Sequence, residues 1–245
     1  TRQGLSRREA VNRVLVVDSR GLIVAGRAGL EPYKESVAQE GGRVANWETA
    51  GAVPTLLETI TNAKVTVLLG LSGQRGAFDA EVVRAVHANT PSPVVFALSN
   101  PTDNSEAVPS DVYEWTGGQA IVATGSPFPD VEHAGVLHPI GQGNNAFVFP
   151  GIGLGAMLAQ ARTVTPGMLN AAAEALADYT DPLSISKGSV YPRISALRRA
   201  SKHVAVAVLR QALDEGSAGR AVTGELADVV ASAMWEPRYL PIRRA

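Results

Sequence analysis

The chain has 245 residues, 45% of them hydrophobic and 18% charged, enough apolar material for one large domain or two small ones. Its 22 basic and 23 acidic residues leave a formal net charge of −1, so no sequence-wide field draws it to nucleic acid or to an anionic membrane, and small-molecule partners are expected. The absence of cysteine excludes disulfides, a thiol nucleophile and cysteine metal sites, and fits a reducing cytoplasm.

His87, His133, His138 and His203 show no HxxxH or HxH spacing, and His133 with His138 on a loop make a poor metal pair. No apolar run reaches the roughly 18 residues of a membrane span, and the polar start Thr-Arg-Gln-Gly is not a signal peptide. A cytoplasmic location is expected. A first residue that is Thr suggests processing, cloning or truncation.

Ser6-Arg-Arg-Glu9 spells a capping box ahead of a short amphipathic helix. The continuous apolar run Val14-Leu-Val-Val-Asp18 then reads as a buried parallel strand. Three runs of like character follow, Val65–Gly70, Val94–Ser99 and Ala120–Thr124, separated by helical stretches near 47–62, 79–89 and 109–116. This rhythm is that of βαβ units and predicts an α/β fold, a Rossmann-like doubly wound parallel sheet over residues 1–150. From 151 to 245 helical periods at 154–162, 166–179 and 194–213 predict a helical C-terminal cap. Residues 214–245 are the least ordered on this reading, although Trp235-Glu-Pro-Arg-Tyr-Leu-Pro241 suggests docking rather than a free tail.

Open α/β sheets bind ligands beyond the carboxyl ends of their strands, which directs attention to Asp18-Ser19, Gly70–Gly73, Ser99-Asn100-Pro101 and Thr124–Pro127. An acid closing a buried strand can hold the adenosine ribose of a dinucleotide; Asp18 fits that role, or it merely begins a turn with Ser19 and Gly21. If it binds ribose, the phosphate loop should precede Thr1. Gly151-Ile-Gly153-Leu-Gly-Ala156 has the form GxGxxG/A, but no strand ending in an acid follows it, so close helix packing is the better explanation. Gly70-Leu-Ser-Gly-Gln-Arg-Gly76 could let backbone approach a cofactor or could be a flexible turn. Asn100 either orients a hydroxy acid with an uncharged amide or caps an Asx turn. Gly141-Gln-Gly-Asn-Asn145 is either a loop that closes over a ligand or a solvent turn.

Taken together, Asp18-Ser-Arg-Gly-Leu-Ile-Val24 with Gly26-Arg27, Phe96-Ala-Leu-Ser-Asn-Pro-Thr102, Gly125-Ser-Pro-Phe128 and Gly141-Gln-Gly-Asn-Asn-Ala-Phe-Val-Phe-Pro-Gly151 resemble malic enzymes in order and spacing. Tyr191-Pro with Ile194-Ser-Ala-Leu-Arg198 extends the similarity over about residues 4–213. The resemblance implies oxidation of L-malate by NAD or NADP and metal-assisted decarboxylation to pyruvate and carbon dioxide, with Mg or Mn. It assigns Asn100 and Asn145 to malate, with Asn144 supporting. It assigns Asp18 to the ribose and Gly70, Leu71, Ser72 and Ser99 to the dinucleotide. Ser19 and Lys34 resemble NADP-preferring members, a lean that Asp18 opposes because its charge disfavours an extra phosphate.

The family's catalytic tyrosine and lysine, acidic metal ligands, malate-binding arginine and glycine-rich phosphate loop have no matching motif in this chain. No catalytic residue is therefore assigned, and the chain alone should be inactive. The expectation is a malic enzyme without its N-terminal part, a homodimer or homotetramer when complete. Alternatives are a malolactic enzyme, or a non-catalytic dinucleotide-binding or regulatory module.

Overall fold

A computed structural model of the protein describes residues 4–236. The chain divides into two compact units, residues 1–140 and 141–245. In the first, Ser6 accepts the Glu9 N–H at 3.2 Å and Glu9 accepts the Ser6 N–H at 2.8 Å, the capping box that opens α1 (Arg7–Asn12). The next run departs from the sequence reading. Rather than a buried parallel strand, Val14–Asp18 yields only β1 (Val17–Asp18), paired antiparallel with β2 (Gly21–Leu22), and Val14 is exposed. Asp18 is the cause, because its Oδ1 accepts the Arg20 N–H at 3.0 Å and closes an Asx turn that folds the chain back. Two single-turn helices follow, α2 (Pro32–Glu35) and α3 (Gly41–Val44). The helix expected near 47–62 contracts to α4 (Leu56–Ala63), since Pro54 precedes a second capping box formed by Thr55 and Glu58.

β3 (Val67–Gly70), β4 (Val94–Ala97) and β5 (Ile121–Thr124) then pair in parallel, with Leu68 opposite Val95 and Val95 opposite Val122. α5 (Ala80–Asn89) links β3 to β4 and α6 (Pro109–Thr116) links β4 to β5, so each connection is a βαβ crossover. Leu68, Val95, Ala97 and Val122 share a core with Ile60 of α4, Val82, Val83 and Val86 of α5, and Val112 and Tyr113 of α6. Each fully buried valine contributes about 1.5–3 kcal/mol, which holds the helices against one face of the sheet. The alternate residues of β3, Val67 and Leu69, are exposed. A hairpin that the sequence reading missed follows, β6 (Val131–His133) and β7 (Val136–His138), turning through Ala134 and Gly135 at positive φ. His138 stacks on Tyr113 with ring centroids 4.2 Å apart, a packing role.

The second unit opens with a two-residue strand, β8 (Gly141–Gln142), and is otherwise helical: α7 (Phe149–Ala159), α8 (Pro166–Tyr179), α9 (Pro182–Ser186), α10 (Leu197–Asp214) and α11 (Leu226–Ala233). α8 starts where its sequence dictates, with Thr165 accepting the Met168 N–H at 3.1 Å and Pro166 at the first turn. α10 is the axis of this unit. Its Val204, Ala205, Val208 and Leu209 are wholly buried with Met168 and Ala172 of α8 and Val230 of α11. A Cβ on Gly151 of α7 would lie 2.6 Å from the Ser201 carbonyl oxygen and 2.8 Å from Val204 Cβ, and one on Gly155 would lie 2.8 Å from both the Ala205 oxygen and Val208 Cβ. The GxGxxG/A stretch is thus a helical seam that brings two backbones close.

Within 214–245, the segment read as least ordered, α11 adds Leu226 and Val230 to the core. Arg198 Nη2 donates to the Trp235 carbonyl at 2.8 Å and to Glu236 Oε1 at 2.5 Å, while the Trp235 side chain is exposed. The rest of that proline and aromatic stretch, from Pro237 onward, lies outside the described residues.

Candidate functional site

The turn between β1 and β2 presents a concentrated charge cluster. Asp18 Oδ2 accepts Arg27 Nη2 at 2.5 Å and Lys34 Nζ at 3.0 Å, and Lys34 also pairs with Glu31 at 2.9 Å. Arg27 is almost wholly buried, and its Nη1 also donates to the Gly21 and Leu22 carbonyls, which fixes the hairpin beneath the carboxylate. The Arg27 hydrogen bond, opposed by burial and assisted by the Arg20 amide and Lys34, holds the Asp18 carboxyl well below its ordinary range. The Lys34 ammonium is held above its usual value by Glu31 and Asp18. Ser19, also expected at this site, is exposed.

A depressed carboxyl pKa contributes stability that is fully present above the unfolded value of about 3.9 and is lost as pH falls through the folded value. The melting-temperature gap between the wild type and Asp18→Asn is therefore expected to hold steady from neutral pH to about 4 and to narrow below it. Parallel melting curves through the acid range would remove Asp18 from this account.

The second constellation sits at the carboxyl ends of β3 and β4. Glu106 is fully buried, and its Oε1 accepts the Ser99 hydroxyl at 2.5 Å, the Ser72 N–H at 2.9 Å and the Ser72 hydroxyl at 3.0 Å, with a longer 3.4 Å contact from the Ser99 N–H to Oε2. Ser99 Oγ in turn accepts the Gly73 N–H at 2.9 Å. Burial raises the Glu106 carboxyl, but the donors from Ser99 and Ser72 more than offset this and leave it below its ordinary value. Leu71 at the tip of this loop is exposed.

Beside Ser99, Asn100 is exposed. Its Oδ1 accepts the Ser126 hydroxyl at 2.8 Å, and its Nδ2 donates to the Leu98 carbonyl at 3.3 Å. Gly125 makes that closeness possible. In the second unit, Asn144 caps a 3-10 turn (Asn145–Phe147) by accepting the Ala146 N–H at 2.9 Å, which leaves Asn145 exposed on the first position of the turn.

The structure therefore unites Asp18 with Lys34, and Ser72 with Ser99 on one carboxylate next to Asn100. The sequence reading missed the two side chains that do the uniting. Arg27 had a signal, since it lies in the Gly26-Arg27 pair of the motif. Glu106 had none, because its partners lie 34 and 7 residues away. An exposed, glycine-bearing loop after β3 beside the Ser99-Asn100 turn after β4, on a parallel sheet, suits a dinucleotide. For Mg or Mn, no group of three or more His, Cys, Asp or Glu side chains that could hold a metal ion occurs among the described residues.

Comparison with known proteins agrees with this geometry. The family model described as malic enzyme, NAD binding domain, matches residues 1–213. NAD-dependent malic enzymes of Pseudomonas aeruginosa and Shewanella denitrificans are 43% and 40% identical over 243 and 242 residues, each match covering 99% of this chain and 43% of the relative. The chain thus spans less than half the length of these curated relatives. The crystal structure of Entamoeba histolytica malic enzyme shares the fold, with a TM-score of 0.70 and 24% identity over 89% of this chain and 41% of that one. That of malic enzyme from Pyrococcus horikoshii gives a TM-score of 0.60 at 26% identity over 82% of this chain and 40% of that one. The parallel strands, the acid on its hairpin, the serine and asparagine at the end of β4 and the match across residues 1–213 together make this chain a member of the malic enzyme NAD-binding domain family.

Proposed function

We propose that the chain is the cofactor-holding part of a malic enzyme, which oxidises L-malate and releases pyruvate and carbon dioxide while a nicotinamide dinucleotide is reduced. The observation that carries this reading is the convergence of Ser72, Ser99 and Asn100 at the ends of two adjacent parallel strands, where open sheets hold their ligands. Asp18 would hold the adenosine ribose, and Gly70, Leu71, Ser72 and Ser99 would line the dinucleotide. With one amide hydrogen on Leu98 and its oxygen on Ser126, Asn100 keeps a second N–H to orient malate. The resemblance also assigns Asn145 to malate, and in its own unit Asn145 sits on the first position of the turn that Asn144 caps.

A bound nicotinamide dinucleotide would supply the acceptor for the hydride that leaves malate C2. The hydroxyl proton goes to a base outside the positions this chain matches. The bond from C3 to the C4 carboxylate then breaks, its electrons pass into an enolate, and a proton returns to C3. This chain contributes binding and orientation; the acid, the base and the Mg or Mn ligands belong to residues beyond it. The complete protein is read as a cytoplasmic homodimer or homotetramer.

NAD is favoured over NADP. Lys34 and Ser19 match NADP-preferring members, but Lys34 is already held by Asp18 and Glu31, and the relatives are NAD-dependent. Malate-dependent reduction of NAD and NADP with Mn, followed by absorbance of the reduced cofactor, tests both points on this chain and on a protein extended upstream to the length of its relatives. Only the extended protein should turn over, with kcat/KM for NAD higher by roughly tenfold, a difference of ~1.4 kcal/mol. Lactate formed without net cofactor reduction would substitute the malolactic reading. Absence of both turnover and dinucleotide binding would sink the enzyme reading.

A further inference from the structure

Glu106 has no exposed surface, yet it does not serve the apolar core: the residues it reaches with its side chain lead into the exposed stretch Ser72–Arg75 and the exposed Asn100. We propose that Glu106 is the positioning residue of the cofactor site, fixing the turns after β3 and β4 in the one arrangement that receives the dinucleotide. The identity of the ligand rests on the malic enzyme reading, whereas the arrangement does not.

Three features of the contact support this role. A buried carboxylate is tolerated only when its oxygens are hydrogen-bonded, and a charged acceptor holds its donors more tightly than a neutral one. The proton directions are also determined. Ser99 Oγ accepts from Gly73 N–H, so its single hydrogen goes to Glu106, and Ser72 Oγ accepts from Gln74 N–H at 3.2 Å while giving its hydrogen to the same carboxylate. Finally, the strand end is shaped around this group, since a Cβ on Gly70 would lie 2.5 Å from Glu106 Cδ and 2.6 Å from its Oε2.

The backbone of the same segment pins the far side of the loop separately, through Gly76 N–H on the Ser105 carbonyl at 3.2 Å and Phe78 N–H on the Glu106 carbonyl at 3.0 Å. Those bonds survive a change of side chain, so the positioning role can be removed without unfolding the loop. Glu106→Gln keeps the volume but turns an NH2 group toward either the Ser99 N–H or the Ser72 donors, and donors facing donors cannot pair.

The test compares Glu106→Gln, Glu106→Ala and a control, Val86→Ala, which removes buried volume from α5 in the apolar core. NAD affinity and steady-state kinetics are measured on the upstream-extended protein, and amide hydrogen exchange at Ser72 and Gly73 on the same samples. Glu106→Gln should raise Kd and KM for NAD about tenfold while kcat changes less than about threefold, with Glu106→Ala affected more strongly. Exchange at both amides should accelerate in the two Glu106 variants. Val86→Ala should lower the melting temperature and leave KM for NAD unchanged. NAD binding as tight in the Glu106 variants as in the wild type, or an equal rise of KM in Val86→Ala, overturns the proposal. If the wild type binds no dinucleotide, the malic enzyme reading fails by itself, and unchanged exchange at Ser72 and Gly73 would then overturn the positioning role independently.

Discussion

Gly125→Ala is expected to abolish most malate turnover and to lower the melting temperature by about 10 °C. A Cβ at this position would lie 2.0 Å from the Leu98 carbonyl oxygen, 2.5 Å from the Leu98 carbonyl carbon and 2.8 Å from Asn100 Nδ2. The obstacle is backbone, not the tip of a flexible side chain. Neither strand end can retreat freely, because Gly125 N–H is bonded to the Ala97 carbonyl at 2.9 Å and Leu98 N–H to the Gly70 carbonyl at 3.0 Å. Overpacking costs about 1–3 kcal/mol where side chains can adjust, and this contact belongs at or above the upper end. At ~2–4 °C per kcal/mol for a chain of this size, that gives the expected shift. The relief available is to push the Leu98–Asn100 turn outward, and a displacement near 1 Å of a positioning group costs about a hundredfold in rate. Malate kinetics on the variant of the upstream-extended protein and calorimetry on the variant of this chain would check both numbers. A melting temperature and kcat/KM close to the wild type would show that Asn100 is not held by this contact.

In the second unit, neighbouring glycines of one helix should respond with opposite signs. Gly151 and Gly155 face Val204 and Val208 of α10, one turn apart on both helices, whereas a Cβ on Gly153 would meet nothing within 4 Å. Gly153→Ala should stabilise the protein by about 0.5–1 kcal/mol, the ordinary helix-propensity gain. The double variant Gly151→Ala/Gly155→Ala receives the same gain twice but forces contacts below 3 Å with backbone and Cβ atoms at both positions, for a net loss of about 3 kcal/mol. Chemical denaturation distinguishes these outcomes. The contrast also decides between two meanings of one motif: a phosphate loop would be most sensitive at its second glycine, Gly153, and loss of dinucleotide affinity in Gly153→Ala would reverse the assignment.

Much of this architecture was legible where a local rule and the tertiary environment agree. The strand runs around Val67–Gly70, Val94–Ala97 and Ile121–Thr124 are short, apolar and spaced by helical periods, and nothing nearby competes with pairing. α8 could be read nearly to the residue because Thr165 and Pro166 mark its start. Val14–Asp18 has the composition of the other runs, and the hydrogen bonds from Arg20 to Asp18 and from Arg27 to Asp18, Gly21 and Leu22 make it a hairpin instead. The candidate site is half visible in the sequence. Asp18, Ser99 and Asn100 stand at strand ends and can be inspected one by one, but their organisation depends on Arg27 and Glu106, whose roles follow from contacts that have no sequence period.

Glu106 is a charge as well as an acceptor, and this sets the polarity of the surface above it. The hydroxyl hydrogens of Ser72 and Ser99 are turned inward onto a buried anion, and their oxygens are engaged by the Gln74 and Gly73 amides. Such a field opposes phosphate oxygens and attracts a cation, because low surrounding polarizability leaves the charge poorly screened. On the proposed dinucleotide reading, the positively charged nicotinamide ring would suit the surface above this carboxylate better than the pyrophosphate would.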